Sequence, residues 1–487
     1  MLSFTEIRKL NRSGNIIPLY TRIPADLDTP VSVYMRLMGR NRDAFLLESI
    51  EGGEKLARYS FLGFDPFLVV EGEGNRIRLK QKGRATTLKA NPLEFLREMF
   101  DVYKPVKLEG LPRFTGGAVG YFSYDCVRQV EHIPNDNPDT IGLPQLRFGF
   151  FREVIVFDHL KQEIVIIANI LHDRGQSGLK EKYDNAVKVL EDTVARLGLN
   201  RRTKRLSKIE NSKPLALYSR EEFEKMVRRV KIFIKEGDVY QVVLSQRWQV
   251  DSNDSSLAVY RRLRRLNPSS YMFLLNFGNH AVIGSSPEML VRIEKGTIET
   301  RSIAGTRPRG KNEKEDLSII RELCADLNVL ADHSLLLDSA RNDIGRVSQP
   351  GTVEVIQKMA VEKYSNEFHL MSAVGGRLRR NTGALDGHFA CFPAGTVSGV
   401  PKIRAMEIID NLEKERRSVY AGSIAYLDFS GNMDSCALIE TIVKKGKRFY
   451  AQAGAAIGFD SKPNREYRDT EAKAAILIEA ITGGNDR

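Results

Sequence analysis

Short β-type runs recur in both halves of the chain, and they constrain its fold more than any other feature. Before residue 170 they include DAFLLES, FLVVEG, GGAVGYFSY and REVIVFDH, broken by Gly, Pro and Asn. After residue 238 they resume with VYQVVLSQRWQV, SYMFLLNF, HAVIGSS and MLVRIEKGTIETRSI. Turns of hairpin length separate the runs, so we expect antiparallel pairing. The predicted class is α+β, with large antiparallel sheets in a sandwich flanked by helices.

Helical periodicity accompanies the strand pattern. The segment 219–238 has apolar residues at helical spacing, Ser219 and Glu222 in a capping-box pattern, and Gly237 as a stop signal. Further helices are predicted at 178–197, 316–341, 364–373, 401–414 and 464–482.

The polar tract 198–214 predicts an exposed linker. It divides the chain into a sheet-rich region, 1–197, and a second region, 215–487. No period of 20–50 residues repeats, which argues against a solenoid or a propeller.

Composition excludes several classes of protein. No apolar run approaches the roughly 20 residues that span a bilayer. The start MLSFTEIRKLNRSGN lacks the apolar core of a signal peptide, so we expect a cytoplasmic protein with no membrane contact. The net charge of +12 includes basic clusters at Asn200–Lys208 and Arg261–Arg265, but neither has interleaved aromatic residues, which argues against nucleic acid. The four cysteines form no CxxC pair, so we expect neither a disulfide framework nor a zinc site.

One loop has the composition of an anion site, and a second loop resembles a phosphate-binding loop without matching it. The stretch CFPAGTVSGVPKIRAMEIID, residues 391–410, predicts a loop that opens onto a helix beginning near Pro401. The unpaired N–H groups there suit a carboxylate or a phosphate. GTRPRGK, Gly305–Lys311, fails as a phosphate-binding loop because Pro308 lacks an N–H and Asn312 stands where a Ser or Thr is needed. An irregular loop is predicted there instead.

Carboxylates and one histidine are candidates for chemistry. Glu466 and Asp469 share a helix face, and Asp332 lies on the face that holds Val329 and Leu336. Such carboxylates suit a divalent cation such as magnesium, or they are solvated helix surface. His369 lies among apolar residues, which fits either a core histidine or a catalytic one.

Taken together, these segments resemble the chorismate-utilising enzyme family, and within it component I of anthranilate synthase. The matching stretches occur in the family's order from about residue 15 to 482 and include FLLES, GGAVGYFSYD, EGDVYQVVLSQ, SSPEMLVR, IAGTRPRG, LLLDSARNDIGRV, FPAGTVSGVPKIRAMEII, YAGSIAYLDFSGNMDSC, QAGAAIGFDS and EYRDTEAKA. The resemblance implies that family's fold.

It also implies an activity. Enzymes of this kind form anthranilate and pyruvate from chorismate in tryptophan biosynthesis, with Mg²⁺ anchoring a substrate carboxylate. The ammonia comes from a glutaminase partner, component II, because the chain has no amidotransferase nucleophile of its own. A heterotetramer is one assembly that the resemblance allows.

Residue roles follow from the same resemblance. His369, Glu288 and Thr396 match catalytic positions of the family, and Asp332, Glu466 and Asp469 match metal positions. The substrate-binding positions are Gln241, Ala304, Tyr420, Glu440, Gly454 and Ala456. Lysine at position 241 or 304 is typical of other branches, so Gln241 and Ala304 favour the anthranilate branch. The tryptophan-site positions are Glu48, Ser49, Tyr271 and Met272.

The chain departs from the family pattern at several of these positions. Glu440 stands where the family has an Arg that binds a substrate carboxylate, and Ala456 replaces a Gly. Val329 replaces one metal-binding carboxylate, and Asp332 and Asp469 are each a methylene shorter than the family's Glu. Ser270 and Ser302 replace Pro. These departures leave two alternatives open: a family member with an altered ligand, and a non-catalytic scaffold that keeps its partner.

Overall fold

The computed structural model describes residues 1–39, 43–49, 58–173, 175, 177–198, 212–364 and 367–483. Its strands are β1 Ile16–Pro24, β2 Asp43–Glu48, β3 Tyr59–Phe64, β4 Leu68–Glu73, β5 Arg76–Gln81, β6 Arg84–Lys89, β7 Gly117–Phe122, β8 Leu146–Phe151, β9 Glu153–Asp158, β10 Glu163–Leu171, β11 Leu215–Ala216, β12 Gln241–Asp251, β13 Tyr271–Phe277, β14 His280–Ser286, β15 Met289–Glu294, β16 Thr297–Pro308, β17 Glu354–Lys363, β18 Glu367–Arg377, β19 Gly399–Val400, β20 Ser423–Asp428, β21 Met433–Ala437, β22 Glu440–Lys445 and β23 Arg448–Ile457.

These strands form two large sheets. The first has the order β1-β10-β9-β3-β2-β13-β14-β22-β23-β12-β11, with β19 paired to β12. The second has the order β17-β18-β16-β15-β21-β20-β7-β8-β4-β5-β6. Each pair of named strands that the structure describes is antiparallel, as in β12 with β23 and β16 with β18. The predicted class, α+β with large antiparallel sheets, is confirmed.

Helices cover the outer faces of the sheets. They are α1 Phe4–Leu10, α2 Pro30–Leu37, α3 Pro92–Asp101, α4 Leu179–Leu197, α5 Arg220–Lys235, α6 Ser256–Leu266, α7 Glu313–Ala325, α8 Leu327–Val347, α9 Ala384–Cys391, α10 Gly395–Ser398, α11 Lys402–Leu412 and α12 Pro463–Thr482, with a 3₁₀ turn at Tyr124–Gln129. The capping box of Ser219 and Glu222 is confirmed at the start of α5. None of the helices within the described ranges is both long and apolar enough to cross a membrane.

Three predictions about local structure were wrong. The predicted helix at 316–341 is two helices, because Asp326 has an extended backbone and caps α8 with its own side chain. The predicted helix at 364–373 is instead the strand β18, whose residues are almost all buried, so its continuous apolar run carries no period. The predicted irregular loop at Gly305–Lys311 begins as strand, because β16 continues through a bulge to Pro308.

The sandwich interior is an aromatic-rich core shared by both sheets. Phe45, Phe61 and Phe273 reach it from the first sheet, and Tyr121 and Tyr426 reach it from the second. Further apolar clusters lie between each sheet and its helices. The molecule is therefore layered helix, sheet, sheet, helix, and the ends of β12, β16, β18, β22 and β23 carry the candidate site.

The two predicted regions share this architecture. Strands from 1–197 and from 215–487 occur in both sheets. The division into two regions therefore stays a prediction. Most of the predicted linker 198–214 and the basic cluster Asn200–Lys208 lie outside the described residues.

Candidate active site

A buried carboxyl group, that of Glu288, lies opposite the hydroxyl of Thr396. Glu288 precedes β15 and is only 4 % exposed. The Thr396 Oγ1 lies 2.9 and 2.7 Å from its two carboxyl oxygens. Burial raises the pKa of Glu288 to about 8, although the Thr396 hydrogen bond opposes the shift. The carboxyl is therefore mostly protonated at neutral pH and can donate a proton.

The turn that carries Thr396 is locked against β12. The strand β19 pairs with Gln241 and Val242. At Gly399 the φ angle is +139°, and a Cβ there would lie 2.2 Å from the Gln241 carbonyl oxygen, so only glycine permits this approach. Gln241 is thus held beside the predicted anion-binding loop.

The buried Arg417 connects the Thr396 turn to β12. Its guanidinium donates to the carbonyl oxygens of Val397, at 2.8 Å, and Val243, at 2.6 Å. It is also paired with Glu413 at 2.6 Å, and both side chains are buried. Because the pair and its carbonyl partners satisfy each other, the network fixes the Thr396 turn to the sheet without an orphaned charge.

His369 lies on β18 in the second sheet and is 7 % exposed. Its Nδ1 is 3.0 Å from the hydroxyl of Thr306 on the paired strand β16, and its Nε2 is 3.5 Å from the carboxylate of Glu367. Burial lowers the pKa of His369 to about 4. The imidazole is therefore neutral near pH 7 and can accept a proton.

Glu440 begins β22 and is largely enclosed. It accepts a hydrogen bond from Asn267, which follows α6. Burial raises the pKa of Glu440 to about 7, the charge of Glu367 raises it further, and Asn267 and Lys473 oppose the shift. Glu440 belongs to the first sheet and Glu367 to the second, and the two are close enough for the charge of Glu367 to act on Glu440.

Lys473 is a cation of this cleft that sequence reasoning missed. It lies on α12, and its Nζ is 2.7 Å from Asp469 and 3.2 Å from the Gly454 carbonyl oxygen. Burial raises the pKa of both Glu440 and Glu367, and the charge of Lys473 opposes this rise. A lysine four residues after Asp469 on a predicted acidic face was the available signal.

The other predicted substrate positions lie on neighbouring elements. Tyr420 is buried, and a Cβ at Gly454 would lie 2.4 Å from its hydroxyl oxygen, so the close contact requires glycine. Ala456 lies on β23 opposite Val243. The Ala304 carbonyl oxygen is 3.2 Å from Nδ1 of His333, and this contact connects β16 to α8.

The three predicted metal positions do not gather into one site. Glu466 and Asp469 interact on one face of α12, but Asp469 is paired with Lys473. Burial raises the pKa of Asp332, followed by the charges of Asp326 and Asp460. Among the residues that the structure describes, no group of three His, Cys, Asp or Glu is placed to hold a metal ion. The donor set therefore does not fit a preformed magnesium site.

Besides the cavity that Glu288 and Thr396 line, a second cavity is lined by all four tryptophan-site positions. Glu48, Ser49, Tyr271 and Met272 all line a partly open space between the sheets. Aromatic residues, including Phe61 and Phe273, form part of its wall.

The charged groups of this cavity are only partly satisfied. Tyr271 donates to Asp434 at 3.0 Å, and Arg292 is paired with the same carboxylate at 2.8 Å. Arg113 is paired with the same carboxylate at 3.4 Å. Within the described residues, the buried Ser49 Oγ and Arg113 Nε have no hydrogen-bond partner.

Comparison with known proteins places these features in a family. A family model described as chorismate binding enzyme matches residues 42–479. Anthranilate synthase component 1 of Acetivibrio thermocellus is 45 % identical over 485 residues, covering 98 % of this chain and 97 % of that protein. The Aquifex aeolicus protein of the same name is 42 % identical, covering 99 % and 97 %.

Solved structures agree in fold. The crystal structure of anthranilate synthase component I from Streptococcus pneumoniae TIGR4 has a TM-score of 0.77 and 36 % identity, covering 94 % of this chain and 99 % of that one. The isochorismate synthase MenF from Escherichia coli has a TM-score of 0.72 at 17 % identity, covering 98 % of each chain, which is a likeness of fold alone.

Proposed function

The chain belongs to the chorismate-binding enzyme family, and on that premise we propose that it converts chorismate and ammonia to anthranilate, pyruvate and water in tryptophan biosynthesis. The observation that carries this proposal is the buried, protonated Glu288 held by Thr396. Loss of a ring hydroxyl requires such a proton donor, because hydroxide is a poor leaving group.

The first step joins nitrogen to the ring. A C–N bond forms as ammonia attacks, the ring C–O bond of the hydroxyl breaks, and the oxygen leaves as water after taking the proton of Glu288. The protonated nitrogen that results then returns one proton to the Glu288 carboxylate. Thr396 stabilises the carboxylate that remains, since its hydroxyl is within hydrogen-bond distance of both oxygens.

The second step makes the ring aromatic. A ring C–H bond loses its proton, the C–O bond to the enolpyruvyl group breaks, and enolpyruvate leaves. Enolpyruvate takes up one proton, equal to the one lost by the ring, and becomes pyruvate. We assign the proton to His369, which burial keeps neutral and which is oriented by Thr306. Chorismate plus ammonia then balances anthranilate, pyruvate and water.

Substrate binding depends on Lys473. It supplies a positive charge that can pair with a carboxylate of the dianionic substrate. Glu440 opposes this attraction whenever it is ionised. The remaining positions, Gln241, Ala304, Tyr420, Gly454 and Ala456, form the wall as proposed from the resemblance.

Magnesium is the cofactor that the family resemblance implies, with Asp332, Glu466 and Asp469 as its proposed ligands. Because these carboxylates do not fit a preformed site, no step above depends on a metal.

The ammonia source is proposed to be a separate glutaminase chain. The relatives are named component 1, which implies a second component in their assemblies. We propose a complex of this kind for the chain, with a heterotetramer as one form, and a cytoplasmic location for it. The region 215–487 would carry the catalytic site.

The second cavity is proposed to bind tryptophan as an inhibitor. Ser49 Oγ and Arg113 Nε, which lack hydrogen-bond partners among the described residues, suit a carboxylate. Glu48 and Asp434 suit an amino group, and the aromatic wall suits an indole ring. Titration calorimetry with L-tryptophan tests this, and absence of heat contradicts it.

One experiment decides the main proposal. Purified protein with ammonium, magnesium and chorismate is expected to produce fluorescent anthranilate, and glutamine is expected to replace ammonium only with a glutaminase subunit. Glu288→Gln should abolish the signal, while Glu407→Gln, on the exposed side of α11, should not. No product from either nitrogen source overturns the proposal.

A second candidate is favoured by Glu440. A buried carboxyl on which the charge of Glu367 acts suits a ligand with one carboxylate fewer than chorismate, as in a family member with an altered ligand. Since a ligand stabilises the state that it binds, a thermal-shift series in which chorismate raises the melting temperature most removes this candidate.

A further inference from the structure

Tyr364 packs directly against His369. The edge of the phenol ring meets the imidazole with centroids 5.0 Å apart and an interplanar angle of 76°. Edge-to-face contacts of this kind are directional, so the position of one ring limits the rotation of the other. Tyr364 is a buried residue between β17 and β18 and lies outside the set assigned above.

The hydroxyl of Tyr364 is fixed at its far end. It donates to Glu362 at 2.8 Å and lies 3.3 Å from the Ser270 Oγ. Glu362 is in turn 3.5 Å from the guanidinium of Arg301. The phenol is thus held at both ends, by polar groups at its hydroxyl and by His369 at its ring.

His369 depends on this contact because its polar partners restrain it incompletely. The Thr306 hydroxyl is at hydrogen-bond distance of Nδ1, but Glu367 is 3.5 Å from Nε2, which is long for a hydrogen bond. The terminal torsion of a histidine has broad wells, so packing against the ring face decides its orientation.

Ser270 joins this arrangement to the second cavity. It is 1 % exposed, follows Ser269 and precedes β13, and lines the cavity together with Glu48 and Tyr271. The next three residues, Tyr271, Met272 and Phe273, also line the cavity, so a ligand there would lie beside Ser270. These contacts connect the second cavity to the His369 imidazole through Ser270 and then Tyr364.

We propose that Tyr364 is a positioning residue for His369 and that Ser270 couples its hydroxyl to occupancy of the second cavity. The role of His369 and the ligand of the cavity rest on the proposed function. A ligand can change the histidine only if it binds the two arrangements with different affinity. One neutral hydrogen bond allows a difference of about fivefold.

The test uses histidine resonances, since the chain has only seven histidines. Protein labelled with ¹³C at the histidine rings is compared as wild type, Tyr364→Phe and Tyr183→Phe, with His369→Gln assigning the resonance. Tyr183, on α4, is the matched control because its hydroxyl also donates a hydrogen bond, in this case to the Leu2 carbonyl at 3.2 Å.

We expect the His369 resonance to move in Tyr364→Phe and to stay in Tyr183→Phe, with equal melting temperatures for the two variants. An unmoved resonance in Tyr364→Phe overturns the positioning role. Ser270→Ala is the second variant, and it keeps the test decisive if Tyr364→Phe fails to fold.

Coupling is read by adding L-tryptophan to the same samples. The His369 resonance is expected to move in wild type and Tyr183→Phe, but not in Ser270→Ala, whose inhibition by tryptophan should weaken about fivefold. Calorimetric binding without any change at His369 overturns the coupling. Absence of tryptophan binding refutes the regulatory proposal instead, and the ligand-free comparison still decides the positioning of His369.

Discussion

The Thr396 hydroxyl lies 2.7 Å from one carboxyl oxygen of Glu288 and 2.9 Å from the other, and this contact sets a pH dependence. Burial raises the pKa of Glu288 to about 8. The protonated form is the active acid, so kcat is expected to fall as pH rises through about 8. His369, with a pKa lowered to about 4 by burial, becomes protonated and loses its base function only near that pH. A pH–rate profile measures both limits.

Thr396→Val tests the origin of the upper limit. Loss of the hydrogen bond that lowers the Glu288 pKa should move the basic limb to higher pH and reduce kcat, because the remaining carboxylate loses a donor. Thr470→Val is the matched control, since Thr470 is a buried threonine of α12 whose hydroxyl donates to a backbone carbonyl. Identical basic limbs in Thr396→Val and wild type would show that Thr396 does not act on Glu288.

Lys473 is predicted to determine the Michaelis constant. Lys473→Met removes the cation next to Gly454, so KM for chorismate is expected to rise by about 10- to 100-fold, the equivalent of about 1.5–3 kcal/mol for a hydrogen bond to a charged group. Steady-state kinetics of Lys473→Met and Lys462→Met, the latter just before the same helix, provide the comparison. Equal KM values in the two variants contradict the assignment.

The sequence best predicted those features that depend on residues close together in the chain. The capping box at Ser219 and the α+β class follow from local patterns and were confirmed. The strand containing His369 was predicted as a helix because a short apolar run fits a buried helix or a buried strand equally well.

The site depended on contacts distant in sequence. Lys473 owes its place in the site to the packing of α12 on β23, and Tyr364 owes its place to the pairing of β17 with β18. The spacing of Lys473 from Asp469 is a local signal, but no local pattern marks Tyr364. The predicted metal positions could not be tested by spacing alone, since Asp469 turns to Lys473 one helical turn away.

Glu440→Arg is expected to improve chorismate binding. Like charges about 4 Å apart interact by roughly 4 kcal/mol at an effective dielectric of about 20, which is an upper bound for the repulsion of a substrate carboxylate here. Glu440→Gln should give an intermediate KM.

The same repulsion should make the KM of the wild type for chorismate depend on pH. Because the pKa of Glu440 is about 7, KM is expected to rise as pH rises through 7 and the carboxyl ionises. In Glu440→Gln the rise should vanish. Unchanged affinity in Glu440→Arg would mean that position 440 does not face the substrate.

Magnesium affinity is predicted to be limited by side-chain length. Magnesium requires oxygen ligands at about 2.0–2.1 Å and tolerates little error. The double variant Asp332→Glu, Asp469→Glu extends both carboxylates, so the dissociation constant for magnesium, measured by calorimetric titration, should fall several-fold. A titration that gives the same midpoint for both proteins would separate these residues from the metal.

Acid stability is predicted from two buried histidines that take no part in the proposed proton transfers. Burial lowers the pKa of His388 to about 3, and burial followed by the charge of Arg147 lowers that of His280 to about 3. Their ordinary value is about 6.5, so the unfolded chain binds protons that the folded chain excludes. The stability is present above pH 6.5 and is lost as pH falls from 6.5 toward 3. Chemical denaturation at pH 7 and pH 5 should show a lower free energy of unfolding at pH 5, and the difference should shrink in His280→Asn. A difference that is the same in His280→Asn as in wild type would exclude this histidine as a source.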